Sequence, residues 1–170
     1  MKGNDMYIDK LWGECFGDTE DSFVLMDYFN EDDKTEYSIK KIFNDFNIYN
    51  EYSQIKSDSF RSTKDIKYIS NNNEHDIDIV IDLILDLSVL VLECLNSKQI
   101  KLKDLDNNSK DKYISINADK EDIEMFINVL EDFSNNSLEY DLADICDDET
   151  CSFIADKTKY IAKEMSQFLN

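Results

Sequence analysis

The sequence predicts an α+β fold in one domain, mostly helical, with about five helices around a buried central helix at 77–96 and a small sheet. Three observations carry this. The longest apolar run, IDIVIDLILDLSVLVLECL at 77–95, is the one stretch able to centre a core. It far exceeds the usual strand of about five or six residues, whereas a helix of that length is ordinary. Proline is absent and glycine occurs only three times, so the chain lacks the punctuation of an all-β protein. Short alternating segments at 65–70 and 112–117 supply the strands. The 170 residues are enough to bury a core without staples, and 42% hydrophobic content excludes a disordered chain.

In chain order, Gly3, Gly13 and Gly17 all fall in the first seventeen residues, and Trp12 stands beside Gly13. The segment LWGECFGDT at 11–19 therefore reads as a tight turn with Trp12 plugging the core, or as a partner-facing loop. Asp18 or Thr19 caps a helix over 20–30, with Glu20 and Asp21 at its positive end. Phe23, Val24, Leu25, Met26, Tyr28 and Phe29 predict that this helix is largely buried, and Glu31, Asp32 and Asp33 end it. Ser38 starts a second helix, with Ile39, Ile42, Phe43 and Phe46 at helical spacing. Residues 48–63 read as loop, 65–70 as strand and 71–73 as turn, with Asp76 the natural cap of the central helix.

Within the central run, Asp78, Asp82 and Asp86 recur every fourth position, with Glu93 and Ser97 close to the same line. They predict one narrow polar stripe on an otherwise apolar cylinder. On that geometry, replacing Leu90 is expected to cost far more than replacing Glu93. A rival period of two, from Ile77 to Leu87, suggests a short strand at 76–82 instead. Residues 99–102 and 112–117 read as strands around a polar loop at 104–111. Asp119 caps a helix to about 134, residues 138–146 show no clear pattern, and a last helix runs from about 149 to 168.

The charge narrows the function. Eighteen basic against 38 acidic residues give a net charge of −20, and Arg61 is the only arginine. Binding to nucleic acid or an anionic membrane is disfavoured, and a basic protein partner is favoured. The start of the chain has no apolar signal segment, and acids interrupt the central run too often for a membrane span. A cytoplasmic protein with four free thiols is expected. His75, the only histidine, reads as a solvated loop residue, and no catalytic or phosphate-binding motif is present, so neither enzyme nor cofactor is expected. Cys146 and Cys151, with Cys15 or His75, make a poor zinc set. The loop at 104–115 has Ser109 and Ser115 where a calcium loop needs glycine and glutamate. Lys98, Lys101 and Lys103, and Lys157, Lys159 and Lys163, read as solvated faces with acids close by.

Three acidic clusters remain: Asp18, Glu20 and Asp21; Glu31, Asp32 and Asp33; and Asp147, Asp148 and Glu149. Each also suits a helix end. Together with Trp12 they form the candidate partner-binding set. The stretch WGECFGDTEDSFVLMDYF, with Trp12, Gly13, Asp21 and Ser22, resembles the immunity proteins of bacterial toxin systems, at the level of the class. The resemblance implies an acidic surface that docks on the basic, substrate-binding face of a nuclease-type toxin. It assigns no residue roles. The alternatives are a phage-type DNA mimic that inhibits a nucleic-acid-binding protein, and a small metal-binding or regulatory domain.

Overall fold

The computed structural model describes residues 6–48 and 54–170. Gly3, and positions 49–53 of the predicted 48–63 loop, lie outside the described residues. The helices are α1 (Tyr7–Leu11), α2 (Glu20–Asn30), α3 (Ile39–Asp45), α4 (Val80–Ser97), α5 (Leu102–Leu105), α6 (Lys120–Asn136) and α7 (Asp148–Ser166). The strands are β1 (Glu36–Ser38), β2 (Lys67–Ser70), β3 (Asn73–Asp76), β4 (Ile100–Lys101) and β5 (Tyr113–Asn117). This is the α+β class the sequence predicts, with α1 and the four-residue α5 added to the five longer helices.

Helix α4 is the centre. Every residue from Val80 to Cys94 is buried, and α1, α2, α7, β4 and β5 pack around it. The stripe of acids is real but does not face water. Asp82, Asp86 and Glu93 are all buried, and Asp78 lies before the helix begins. Glu93 is held by two donors, the backbone N–H of Ile8 at 3.2 Å and the Ser97 hydroxyl at 2.7 Å. The polar line thus fastens the N-terminal segment to the core.

The start of α4 also differs from expectation. Asp76 ends β3, and the N-cap residue Ile79 has no capping side chain. The free N–H groups are satisfied from elsewhere: Asp78 and Ile79 donate to Asp21 at 2.8 and 2.9 Å, and Val80 donates to the Thr63 hydroxyl at 2.9 Å. Helix α4 is therefore capped by residues distant in sequence, which no local pattern could report. At its other end Lys98 takes a left-handed conformation and donates to the Cys94 carbonyl.

The local caps follow their sequence signals. Thr19 and Ser22 form a capping box on α2, Ser38 caps α3, and Asp119 with Asp122 forms the box on α6. Asp147 accepts from Thr150 and caps α7. Phe23 departs from expectation: it is 61% exposed, because α2 buries the opposite face, with Leu25, Met26, Tyr28 and Phe29 inward.

Among the described residues the strands form two small sheets, one packed on α4 and the other against α2 and α3. Strand β5 lies between β1, which pairs with it in parallel, and β4, which pairs antiparallel. Strands β2 and β3 form a hairpin whose two turn residues, Asn71 and Asn72, have φ of 47° and 65°. That is the geometry a two-residue hairpin turn requires, and asparagine tolerates it. His75 sits in β3, half-buried, with its ring stacked on Tyr68 at 4.5 Å, and is not a solvated loop residue. The lone arginine is structural as well: Arg61 makes a two-point pair with Asp132 at 2.9 and 2.7 Å and also meets Glu139. The stretch at 138–146 folds into two 3-10 turns between α6 and α7.

Leu90→Ala is expected to destabilise the fold by roughly 2–5 kcal/mol, as for other buried leucine truncations. The burial of Glu93 reverses the ranking drawn from sequence. Glu93→Ala leaves a cavity and strips the Ile8 N–H of its acceptor, so its cost should match that of Leu90→Ala. Urea unfolding of both variants measures this. A Glu93→Ala cost well below the leucine cost would show that the N-terminal segment is not held by that carboxylate.

Candidate partner interface

The glycine-bearing turn is built around a close approach. Gly13 donates its N–H to the Phe16 carbonyl at 2.7 Å, and Gly13 and Gly17 have φ of 95° and 76°. The Trp12 indole lies flat against Gly17: a Cβ there would fall 2.1 Å from the ring. The indole N–H donates to the Leu105 carbonyl at 3.1 Å, and Phe16 is buried beneath. Trp12 is half-buried and engaged within the chain, as the tight-turn reading anticipates. Asp86 of α4 anchors the turn, accepting from the Gly17 N–H at 2.8 Å and the Ser22 hydroxyl at 2.5 Å.

Beneath this turn the chain concentrates carboxyl groups. Asp21, Asp82 and Asp86 are buried near the positive end of α4, with Asp141 close enough for its charge to act on Asp82. Burial pushes the Asp82 carboxyl up to about 7, and the neighbouring charges of Asp86, Asp21 and Asp141 add to the shift. Burial likewise raises Asp86 to about 7, against the pull of its bonds from Ser22 and Gly17. Asp21 is also raised by burial, although its two backbone donors oppose this. Asp21 therefore leaves the docking set. It is 4% exposed and both of its oxygens cap α4. One oxygen of Asp141 is buried without a hydrogen-bond partner, while the other accepts from the N–H and hydroxyl of Thr63.

Above the turn, the fold joins two clusters that the sequence separates by more than a hundred positions. Glu14, Cys15, Asp18 and Thr19, at the start of α2, line a cavity of about 200 Å³ together with Cys146, Thr150, Phe153 and Ile154, at the start of α7. Glu14 and Asp18 are exposed at its mouth, and Glu20, Asp147, Asp148 and Glu149, close by in the chain, are exposed too. Two large apolar side chains of these segments are exposed, Phe153 in the cavity wall at 49% and Ile145, next to Cys146 in the chain, at 68%. An acidic rim around exposed apolar groups is the anatomy of a protein-binding patch. The sequence could not show it, because residues 138–146 carry no clear pattern and the period of the last helix does not tell an exposed Phe153 from a buried one.

Glu31, Asp32 and Asp33 are exposed at the far end of α2, about 16 Å away along an eleven-residue helix. Acids at a helix C-terminus oppose its dipole, and here the chain compensates them. Lys112 donates to the Asp32 carbonyl at 2.8 Å, Lys110 approaches Asp33 at 3.7 Å, and Ser70 donates to Glu31. This cluster is a separate, internally bonded patch.

The cysteines offer little reactivity. All four are free, and burial raises the thiols of Cys15, Cys94, Cys146 and Cys151, keeping them protonated. Among the described residues, no group of three or more His, Cys, Asp or Glu side chains is arranged to hold a metal ion. No described helix is long and apolar enough to cross a membrane.

The fold is an α+β frame that leaves exposed acids and exposed apolar side chains at the starts of α2 and α7. A family model described as Immunity protein 68 matches residues 7–165, and the chain belongs to that family. Membership places it among the immunity proteins of toxin systems and implies a toxin as its partner protein. No curated protein and no solved structure matches the chain significantly.

Two outcomes follow for the turn and the carboxyl groups below it. Gly17→Ala meets both the indole and a positive φ, whereas Gly13→Ala meets only the left-handed backbone cost of roughly 1–2 kcal/mol. The Gly17 variant should be clearly the less stable in urea, and equal losses would remove the Trp12 contact as the cause. Asp82 has its folded pKa near 7, above the usual value of about 3.9. Its contribution to stability is full below about pH 4 and is lost as pH rises to about 7. Asp82→Asn cannot ionise, so it should gain stability over the parent at pH 8 relative to their difference at pH 4. An unchanged difference across that range would place the Asp82 carboxyl in the ordinary range.

Proposed function

We propose that this chain neutralises its toxin by occlusion, docking the acidic face at the starts of α2 and α7 onto a basic, substrate-binding surface. One observation carries the reading: Glu14 and Asp18 line one cavity with Cys146, Thr150 and the exposed Phe153, and the acids next to these in the chain, Glu20, Asp147, Asp148 and Glu149, are exposed as well. Each cluster alone is explained by helix capping, since Asp147 bonds Thr150 and Glu20 sits in a first turn. Their convergence around apolar side chains goes beyond what capping needs. A toxin that handles nucleic acid has the matching basic surface, and blocking it requires no catalysis by the inhibitor. The cytoplasm, where such a toxin would act, is the compartment this reading implies.

The division of labour is physical. Charges attract over a Debye length and set the association rate, while apolar anchors hold the complex once formed. Raising salt from 0.1 to 1 M shortens the Debye length from about 10 to about 3 Å. Association with the cognate toxin should slow by at least about tenfold over that range, with dissociation changing less. Neutralising Asp18, Glu20, Asp148 and Glu149 to their amides should slow association and flatten the salt dependence. The same change at Glu31, Asp32 and Asp33 should do less. Surface plasmon resonance reads both rates, and an association rate indifferent to salt and to the first variant would end the acidic-docking reading.

A further inference from the structure

The acidic face does not stop at Phe153. That ring also lines a second, larger groove of about 490 Å³ between α1 and α7, formed with Lys10, Leu11, Asp156, Lys157 and Tyr160. Phe153, Lys157 and Tyr160 stand at i, i+4 and i+7, one exposed face of α7. The Lys157 ammonium lies 5.5 Å from the centre of the Phe153 ring. Charge changes sign along the helix here. The first turn is acidic, whereas from Lys157 to the end of the chain three lysines stand against one acid, Glu164. Lys157, Lys159 and Lys163 form no ion pair among the described residues, although the chain carries 38 acids. The helix dipole accounts for a lysine in the last turn, but not for Lys157 in mid-helix beside an aromatic groove.

We propose that this groove is the anchor site of the toxin complex, taking a large apolar side chain of the toxin flanked by a carboxylate that meets Lys157. The proposal rests on the docking reading above and sharpens it: the toxin's contact surface is not uniformly basic. A basic patch faces the α2/α7 acidic rim, and an acidic-flanked apolar knob lies next to it. Charge complementarity selects this occupant over a second copy of the chain, since two molecules at −20 repel. The change of sign along α7 also sets the orientation, because a toxin docked in reverse would bring its carboxylate onto Asp147, Asp148 and Glu149. Aromatic side chains at the centre of such a patch are where binding energy concentrates.

The test is a binding comparison with the cognate toxin, using four forms of the full chain: parent, the rim variant with Asp18, Glu20, Asp148 and Glu149 neutralised, Phe153→Ala with Tyr160→Ala, and Lys157→Glu. Circular dichroism and urea unfolding confirm that each is folded, and Lys157→Glu, an exchange on the helix surface, remains informative if the double-alanine form is not. The double-alanine variant should dissociate at least about 30-fold faster with little change in association. Lys157→Glu should weaken binding. If it strengthens binding instead, the groove takes a basic side chain and the proposal is overturned. Slower association in the rim variant with unchanged groove variants would overturn the groove and leave acidic docking standing. The converse would keep the groove and remove acidic docking. Sedimentation velocity of the free protein covers the remaining occupant: a dimer abolished by Phe153→Ala with Tyr160→Ala would assign the groove to a second copy.

Discussion

The rest of the structure depends on one constraint: a helix buried along fifteen consecutive residues, Val80 to Cys94, that nevertheless carries three carboxyl side chains. A buried carboxyl group must find donors or keep its proton. Glu93 finds the Ile8 N–H and the Ser97 hydroxyl, and Asp86 finds the Gly17 N–H and the Ser22 hydroxyl. Both sets of bonds reach into the first twenty-two residues. The need to satisfy α4 therefore fixes the N-terminal segment, and with it the turn that sets where α2 begins. The grip runs the other way at the entry to α4, where Asp21 of α2 accepts from the N–H groups of Asp78 and Ile79, the two residues before the helix. The two helices hold each other through polar contacts inside an apolar core.

That mutual grip has a functional reach. The start of α2 forms one half of the acidic face and the start of α7 the other, and both flank the same small cavity. The α2 side of this surface is held from below by the buried bonds of Gly17 and Ser22 to Asp86. Rigid presentation lowers the ordering cost of association, while the charge supplies reach. A net charge of −20 opposes compaction, and the chain offsets part of this by placing acids at helix N-termini, where the dipole welcomes them.

The aromatic side chains divide along the same lines. Tyr28, Tyr37, Phe46 and Tyr68 meet edge-on or tilted between α2, α3 and β2, with ring centres 5.1–5.6 Å apart around Tyr28, and serve the core. Among the described residues Phe153 and Tyr160 on α7 have no such company, and both remain exposed along the groove between α1 and α7. A lysine near a lone exposed aromatic is ordinary. A lysine between two of them on one helix face, at the border of an acidic rim, makes a surface with direction as well as charge.

What the sequence determined by itself is everything that depends on neighbours three or four residues apart. Thr19, Ser38, Asp119 and Asp147 each begin a helix, because a cap bonds an N–H two or three positions on. The 3.6 period put Ile123, Phe126, Ile127, Leu130 and Phe133 inward on α6, and all but the half-buried Ile127 are buried. The apolar density of α4 marked it as the centre. Only the tertiary structure decided the rest. β1 is three residues long and exists because it pairs with β5, some eighty positions on. Asp21 looks like one more surface acid until Asp78 and Ile79 arrive beside it, and Glu93 looks solvent-facing until Ile8 does. Asp18 and Thr150 line one cavity only because α2 and α7 both pack on α4. A carboxylate has the same signature in a sequence whether it caps a distant helix or meets a partner. Its role is set by which donors reach it, and that depends on chain segments that meet only in the folded state.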